Sequence, residues 1–133
     1  MANVQIDQSL IKHFIDSAFG LPIAYENSEY DQIPGQPYAE LIVLQNDTTM
    51  LNLKHTNETD GLFRIILRYP TDKGAIVAKT MAQNIFDAFV LGSRLTYGIT
   101  TLTIVNHSRQ QGVPEDGWYK LVLSIGYKAL IRR

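Results

Sequence analysis

The chain has 133 residues, of which 45% are hydrophobic and 19% charged, with a formal net charge of −1 at pH 7. This length suits one domain with a substantial core and is short for two, so residues 1–133 are expected to form a single domain. The composition is that of a globular protein in water, and no segment reaches the roughly 20 apolar residues of a membrane span. The sequence contains no cysteine, which excludes disulfides, thiolate nucleophiles and Cys-ligated zinc.

Charge is distributed unevenly along the chain. Residues 1–60 contain nine acidic residues and two lysines, whereas residues 61–133 contain ten basic and four acidic residues. The balanced total argues against a dedicated nucleic-acid binder. Two explanations remain open: the halves cancel within one fold, or a negative surface of one copy meets a positive surface of the next.

The first half of the chain predicts one helix and one clear strand. Apolar residues at helical spacing predict an amphipathic helix over 5–18, ended by Gly20 and Pro22. LPIAY is expected to be extended. Residues 26–37 combine prolines, a glycine and three acids, which is typical of a loop, and 38–45 alternate as a strand. Residues 46–60 are interpreted as a hairpin arm or a loop.

The second half predicts a strand over 62–69 ended by Pro70, then a helix from Asp72 to Leu91 with Thr71 or Asp72 as its cap. Short strands are expected at Leu95–Tyr97 and Thr100–Val105. A polar loop over 106–117 and a long final strand over 118–130 complete the pattern.

Alternation along the strands separates a core face from a polar one. The prediction is therefore an α+β fold, a largely antiparallel sheet with two helices packed on one face. The other face, here called the second face, is mixed and mainly basic. Glu40 could pair there with Arg64 or Arg68 if their strands are neighbours, and an exposed pair would contribute only ~0–1 kcal/mol. The polar members of the second face are Glu40, Arg64, Arg68, Thr101, Thr103, Lys120, Ser124 and Lys128.

The strand–glycine–helix junction RYPTDKGAIVAKT occupies the place where nucleotide folds bind phosphate. It does not match a Walker loop, because Lys73 precedes a single Gly74. GSRLTYG has the glycine spacing without the lysine. Nucleotide binding is therefore not predicted.

No other catalytic or metal motif is found. His13, His55 and His107 lack an i, i+4 pairing and are interpreted as surface histidines. No GxSxG elbow is present, and the clustered acids lie in hydrophilic loops where nothing would shift a pKa. Cation binding by Glu26, Glu29 and Asp31 stays open as a minor alternative. Trp118 and Tyr119 could stack a base, although packing at the sheet rim is favoured.

Five blocks in order carry a family resemblance: LPIAYEN, PGQPYAEL, GLFRIILRYP with TDKG, AQNIFDAFVLGSRLTYG and DGWYKLVLSIGYKA. Together they span Leu21 to Ala129 and resemble the tail terminator, or tail completion, proteins of long-tailed bacteriophages of the lambda type. Two positions depart from the family: Tyr25 stands where tryptophan is frequent, and Glu40 where a basic residue is more usual.

The resemblance implies a non-enzymatic virion protein, without cofactor or metal, at the head-proximal end of the tail and made in the host cytoplasm. Such proteins form a ring, commonly of six copies, that caps the tail tube, stops polymerisation and offers a surface to the head–tail connector. The implied partners are other copies, the major tail tube protein and the connector, with DNA passing through the ring and no membrane or sequence-specific nucleic acid.

Two alternatives are retained: another head–tail neck or adaptor component, and a small ligand-binding or enzymatic α+β domain. The latter predicts a pocket with converging polar groups. The residues predicted to contact a subunit or partner are Glu26, Glu29, Asp31, Glu40, Arg64, Arg68, Lys120 and Lys128.

Overall fold

A computed structural model describes residues 2–17, 19–25, 37–45, 49–50, 56–70, 75–97, 100–115 and 117–132. Two helices and eight strands lie within these ranges. In chain order they are α1 (Ala2–Asp16), β1 (Ile23–Tyr25), β2 (Tyr38–Gln45), β3 (Thr49–Met50), β4 (Thr56–Pro70), α2 (Ala75–Ala88), β5 (Arg94–Tyr97), β6 (Thr100–Arg109), β7 (Val113–Glu115) and β8 (Trp118–Arg132).

All described strands belong to one sheet with the order β1-β2-β4-β8-β6-β5, in which β3 also pairs with β4 and β7 with β8. Only β1 and β2 pair in parallel, and every other described pair is antiparallel. The two longest strands, β4 and β8, pair along their full length, from Thr56 opposite Arg132 to Pro70 opposite Trp118. The predicted largely antiparallel sheet is confirmed.

Helix α1 forms because its apolar residues repeat at helical spacing. Ile6, Leu10 and Phe14 are at most 2% exposed and pack into the core. Ile15, predicted to lie on the same stripe, is 48% exposed and faces away. After Ser17 the chain reaches Gly20 at a φ of 76°, a left-handed conformation that favours glycine and ends the helical path.

Helix α2 packs on the same face of the sheet. Ala78, Ala82 and Ile85 are buried, and Phe89 follows directly after the last helical turn. The helix is shorter than the predicted range of Asp72 to Leu91, and Gly92 has a φ of 84° just after it. The predicted caps Thr71 and Asp72 lie outside the described residues.

The core lies between the two helices and the inner face of the sheet. Phe63 of β4 packs against both helical segments, since its ring centroid lies 6.5 Å from that of Phe14 in α1 and 5.7 Å from that of Phe89, just after α2. Tyr127 of β8 is 1% exposed and completes the layer. Two helices on one face of one sheet confirm the predicted α+β class.

The predicted loop over 106–117 is wrong in part. Strand β6 continues to Arg109, and residues 113–115 form β7 against β8. The cause is a β-bulge at Val105, after Ile104 pairs with Tyr127 and before Asn106 pairs with Gly126. The extra residue breaks the simple alternation on which the prediction relied.

The segment 46–60 begins as the predicted hairpin arm, since Thr49 and Met50 pair with Glu58 and Asn57. Strand β4 starts at Thr56, six residues before the predicted start. Residues 46–48 and 51–55 lie outside the described residues. No described helix is long and apolar enough to cross a membrane.

Candidate interaction surface

The second face is built from the outward-pointing positions of β2, β4, β8 and β6. Strand register places Arg68 opposite Lys120 and Arg64 opposite Ser124. It also adds aliphatic residues that the sequence analysis left in the background. Ile42, Leu62 and Val122 are half-buried there, and Leu44 is 41% exposed. The second face is thus both cationic and partly apolar.

Glu40 binds Arg68. The Arg68 Nε–H donates to Glu40 Oε1 over 2.6 Å, and the two side chains are only 29% and 15% exposed, respectively. They are diagonal neighbours, since Arg68 lies opposite Tyr38 and Glu40 opposite Ile66. Of the two partners considered from sequence, Arg68 is the one observed. The pair is also more buried than the exposed pair expected, so water screens it less.

Arg64 differs from Arg68. Its Nε is buried and has no hydrogen-bond partner among the residues that the structure describes. It lies between Ile42 on β2 and Ser124 on β8. A buried N–H without an acceptor costs about 1–3 kcal/mol, so Arg64 is a weak point in the energetics of the second face.

Like charges are concentrated on this part of the sheet. Arg68 and Lys120 occupy opposite positions of one ladder rung, and Arg64 lies four residues from Arg68 on the same face, with Ile66 between them. Glu40 is the carboxylate bound among them. Like charges directly opposite each other are unfavourable, and an arriving negative group would reduce this repulsion.

Lys128 lies further along β8, exposed, opposite Asp60 of β4 and Thr103 of β6. Five of the predicted contact residues belong to the second face. Lys128 lies apart from the other four, which are Glu40, Arg64, Arg68 and Lys120. The predicted acidic residues Glu26, Glu29 and Asp31 lie outside the described residues. Among the described residues, no group of three His, Asp or Glu side chains could hold a metal.

The aromatic residues at the start of β8 are packed. The Trp118 ring meets that of Tyr38 edge to face, with centroids 5.4 Å apart at 85°. Tyr38 is 3% exposed. Tyr119 packs against the core, and its ring lies over Gly112. These contacts favour the packing interpretation over base stacking.

Two histidines were predicted to be surface residues, and the structure corrects this. His13 Nε2 lies 2.7 Å from the Ala88 carbonyl oxygen, and His107 Nε2 bonds the next carbonyl, that of Phe89. Both side chains are half-buried. They satisfy carbonyls that the end of α2 would otherwise leave without donors. His55 lies outside the described residues.

A cleft of about 220 Å³ between α1 and β5 is the concave feature that bears on the ligand-binding alternative. Its lining includes Lys12, His13, Asp16 and Arg94. Asp16 forms an ion pair with Lys12 over 2.6 Å, and His13 hydrogen-bonds the Ala88 carbonyl. Most charged groups of the cleft are therefore used within the protein, and the arrangement gives little support to a catalytic site.

An α+β subunit with a cationic, partly apolar sheet face is a protein suited to binding other macromolecules through its surface. The comparisons agree with this class. A family model described as phage tail terminator protein matches residues 5–127, so the chain belongs to the phage tail terminator family. It is accordingly a structural protein of the bacteriophage tail.

No curated protein matches the chain. One solved structure superposes on the chain with a TM-score of 0.75 and 18% sequence identity, and the match covers 97% of this chain and 96% of the other. At this identity the likeness shows the fold alone.

Proposed function

We propose that residues 1–133 form one unit of a homohexameric ring that caps the tail tube, stops its polymerisation and offers a surface for head attachment. The observation that carries the proposal is the second face, where Arg64, Arg68 and Lys120 lie together beside exposed and half-buried aliphatic residues. Family membership supplies the setting in the virion tail.

A ring requires a heterologous interface, in which one patch meets a different patch on the next copy. The sequence meets this need, since its first 60 residues are acidic and the remainder basic. Electrostatic complementarity of this kind sets register and association rate. The proposed partners are further copies, the major tail tube protein and the head–tail connector, and DNA passes through the ring.

For some of the predicted contact residues, the position on the second face supports a role in subunit or partner contact. Arg64, Lys120 and Lys128 present cations on the second face, while Glu40 and Arg68 order it through their own ion pair. Glu26, Glu29 and Asp31 are proposed as acidic contacts from the sequence alone. Another neck component would use a surface of the same kind, and the family match favours the terminator.

The proposal is tested by adding the purified protein to growing tail tubes of the same phage and measuring tube length by electron microscopy. We expect growth to stop and a ring of six to appear at one tube end, with native mass giving the copy number. Tubes that grow unchanged, with no protein at their ends, would overturn it.

Salt dependence supplies a second measurement. The Debye length falls from ~10 Å at 0.1 M to ~3 Å at 1 M, so contacts between charged surfaces weaken as salt rises. Lys120→Glu on the second face should weaken assembly and reduce its salt dependence. Lys79→Glu, on the exposed side of α2, changes the net charge equally and should have little effect.

A further inference from the structure

A second exposed surface lies where α2 ends, and we name it the α2 corner: Asp87, Val90, Leu91 and Val105. Val90 and Leu91 are each 55% exposed, and Val105 is 50% exposed. Exposed aliphatic residues in such a group are a recognised mark of an interaction site.

The α2 corner is held in place by backbone hydrogen bonds to β6. Gly92 N–H donates to the Ile104 carbonyl over 2.7 Å, and Ile104 N–H donates to the Ser93 carbonyl over 3.0 Å. These bonds bring the turn after α2 beside the bulged Val105. The aliphatic side chains therefore sit on a fixed turn, which lowers the entropy that docking would cost.

The α2 corner also carries a carboxylate. Asp87 is exposed, and Gln83 Nε2 donates to its Oδ1 over 2.9 Å, which orients the side chain without neutralising its charge. The corner thus combines one negative charge with three exposed aliphatic side chains.

The second face offers the complementary combination. Arg64 contributes a positive charge and a buried Nε for which the described part of the chain supplies no acceptor. Ile42 lies opposite Arg64 on β2, Leu62 lies two residues before it on β4, and Leu44, opposite Leu62, is 41% exposed. Arginine within an apolar surround is a frequent anchor of protein interfaces.

The two charged residues, Asp87 and Arg64, lie on opposite layers of the molecule. Helix α2 packs on the core face of the sheet, whereas Arg64 alternates with core residues Phe63 and Ile65 and points from the other side. Within one chain they cannot meet. Between copies they can meet head to tail, and each copy then keeps one free patch for the next, as a ring requires.

We propose that the α2 corner of one copy docks on the second face of the next copy, with Asp87 accepting a hydrogen bond from Arg64. The inference rests on the ring proposed above and names its subunit contact. It also ranks the predicted residues, because Arg68 is already bound to Glu40 whereas no described residue pairs with Arg64 Nε.

Charge exchange tests the contact. Arg64→Glu alone and Asp87→Arg alone should each raise the protein concentration needed for ring formation by about 30-fold or more, because each sets like charges against each other. An equimolar mixture of the two variants should assemble, since every junction in an alternating ring then joins opposite charges. Rescue by mixing also shows that both variants fold.

The lack of cysteine permits a second test by crosslinking. Leu44→Cys and Leu91→Cys combined in one chain should give a ladder of disulfide-linked oligomers on oxidation, at tube ends or in solution. Within a chain, Leu44 lies on β2 and Leu91 lies next to Gly92, which bonds to β6. Strands β2 and β6 are three strand spacings apart, roughly 14 Å across the sheet, which is beyond the ~7 Å that a disulfide spans. Leu44→Cys with Ile76→Cys, at the other end of α2, is the matched control, because Ile76 is 79% exposed.

The outcomes separate this inference from the proposed function. Rings that form normally from either charge variant, or a ladder as strong in the control pair, would overturn the contact and leave tube capping intact. Failure of the unmodified protein to bind tube ends would overturn the ring itself. Rescue by mixing together with a ladder confined to the Leu44–Leu91 pair supports the contact.

Discussion

Arg68 Nε lies 2.6 Å from Glu40 Oε1, and this ion pair joins β4 to β2 diagonally across the second face. With exposures of 15% and 29%, the two side chains are between the surface and buried regimes. A double-mutant cycle with Glu40→Gln and Arg68→Met should therefore give a coupling energy of about 1–2 kcal/mol in urea unfolding.

A matched control is present in α1. Lys12 Nζ lies 2.6 Å from Asp16 Oδ2, the same distance, but the side chains are 63% and 59% exposed. A double-mutant cycle with Lys12→Met and Asp16→Asn should give a coupling energy of at most about 0.5 kcal/mol. Equal coupling energies in the two pairs would show that burial on the second face is not what strengthens the Glu40 contact.

His107 bonds a carbonyl at the end of α2, and removing this hydrogen bond should lower stability even where ring packing is kept. In His107→Phe the stacking on Phe86, with ring centroids 4.5 Å apart at 5°, is retained while the hydrogen bond to Phe89 is lost. The expected cost is about 1 kcal/mol in the free energy of unfolding, because a half-buried carbonyl loses its donor. His107→Gln, which keeps a donor, should lose less. An unchanged unfolding midpoint for His107→Phe would refute the role.

Gly61 is required by a close approach. An added Cβ would lie 2.0 Å from the Leu44 carbonyl oxygen and 2.7 Å from the Tyr127 hydroxyl, which itself donates to Leu44 across β4 over 3.2 Å. Gly61→Ala should destabilise the protein by about 2–3 kcal/mol, since a backbone carbonyl must shift.

Gly126→Ala is the control for Gly61. Its added Cβ would meet the end of the Asn106 side chain, 2.4 Å from Oδ1, and that side chain can rotate away. We expect a cost below about 1 kcal/mol. The same thermal unfolding series serves both, and a larger loss at Gly126 would contradict the explanation.

Alkaline pH should destabilise the fold through Tyr69. Burial raises the pKa of the Tyr69 phenol above its usual value of 10.0. The folded state then holds its proton more tightly than the unfolded state, so the free energy of unfolding falls as pH rises from 10 toward the folded pKa. The slope from this one proton is at most about 1.4 kcal/mol per pH unit in that window. Tyr69→Phe should flatten it, and an unaltered slope above pH 10 would count against this cause.

The sequence was most informative where one period continued without interruption. Helices α1 and α2 and strands β2 and β8 follow from apolar residues at regular spacing, because burial of one face imposes that spacing. Strand β6 could not be bounded in the same way. The bulge at Val105 places Asn106 on the second face and His107 toward the core, and strict alternation would assign them the reverse.

The candidate surface was predictable by face but not by partner. Alternation alone placed Glu40, Arg64 and Arg68 together, while strand order was needed to decide which arginine binds Glu40. The histidine contacts with α2 joined residues 75 and 18 positions apart in the chain, and no local pattern signals such a pairing. The exposure of the α2 corner could not be predicted, because Val90 and Leu91 continue an apolar run that is typical of a buried helix segment.

Strand β8 follows every other strand in the chain and yet lies between β4 and β6 in the sheet. Without residues 118–132 the other strands of this order could pair only as two groups, β1-β2-β4 and β6-β5, each with an unpaired edge. A chain truncated ahead of β8 would therefore present open edges to aggregation instead of a surface for a neighbour.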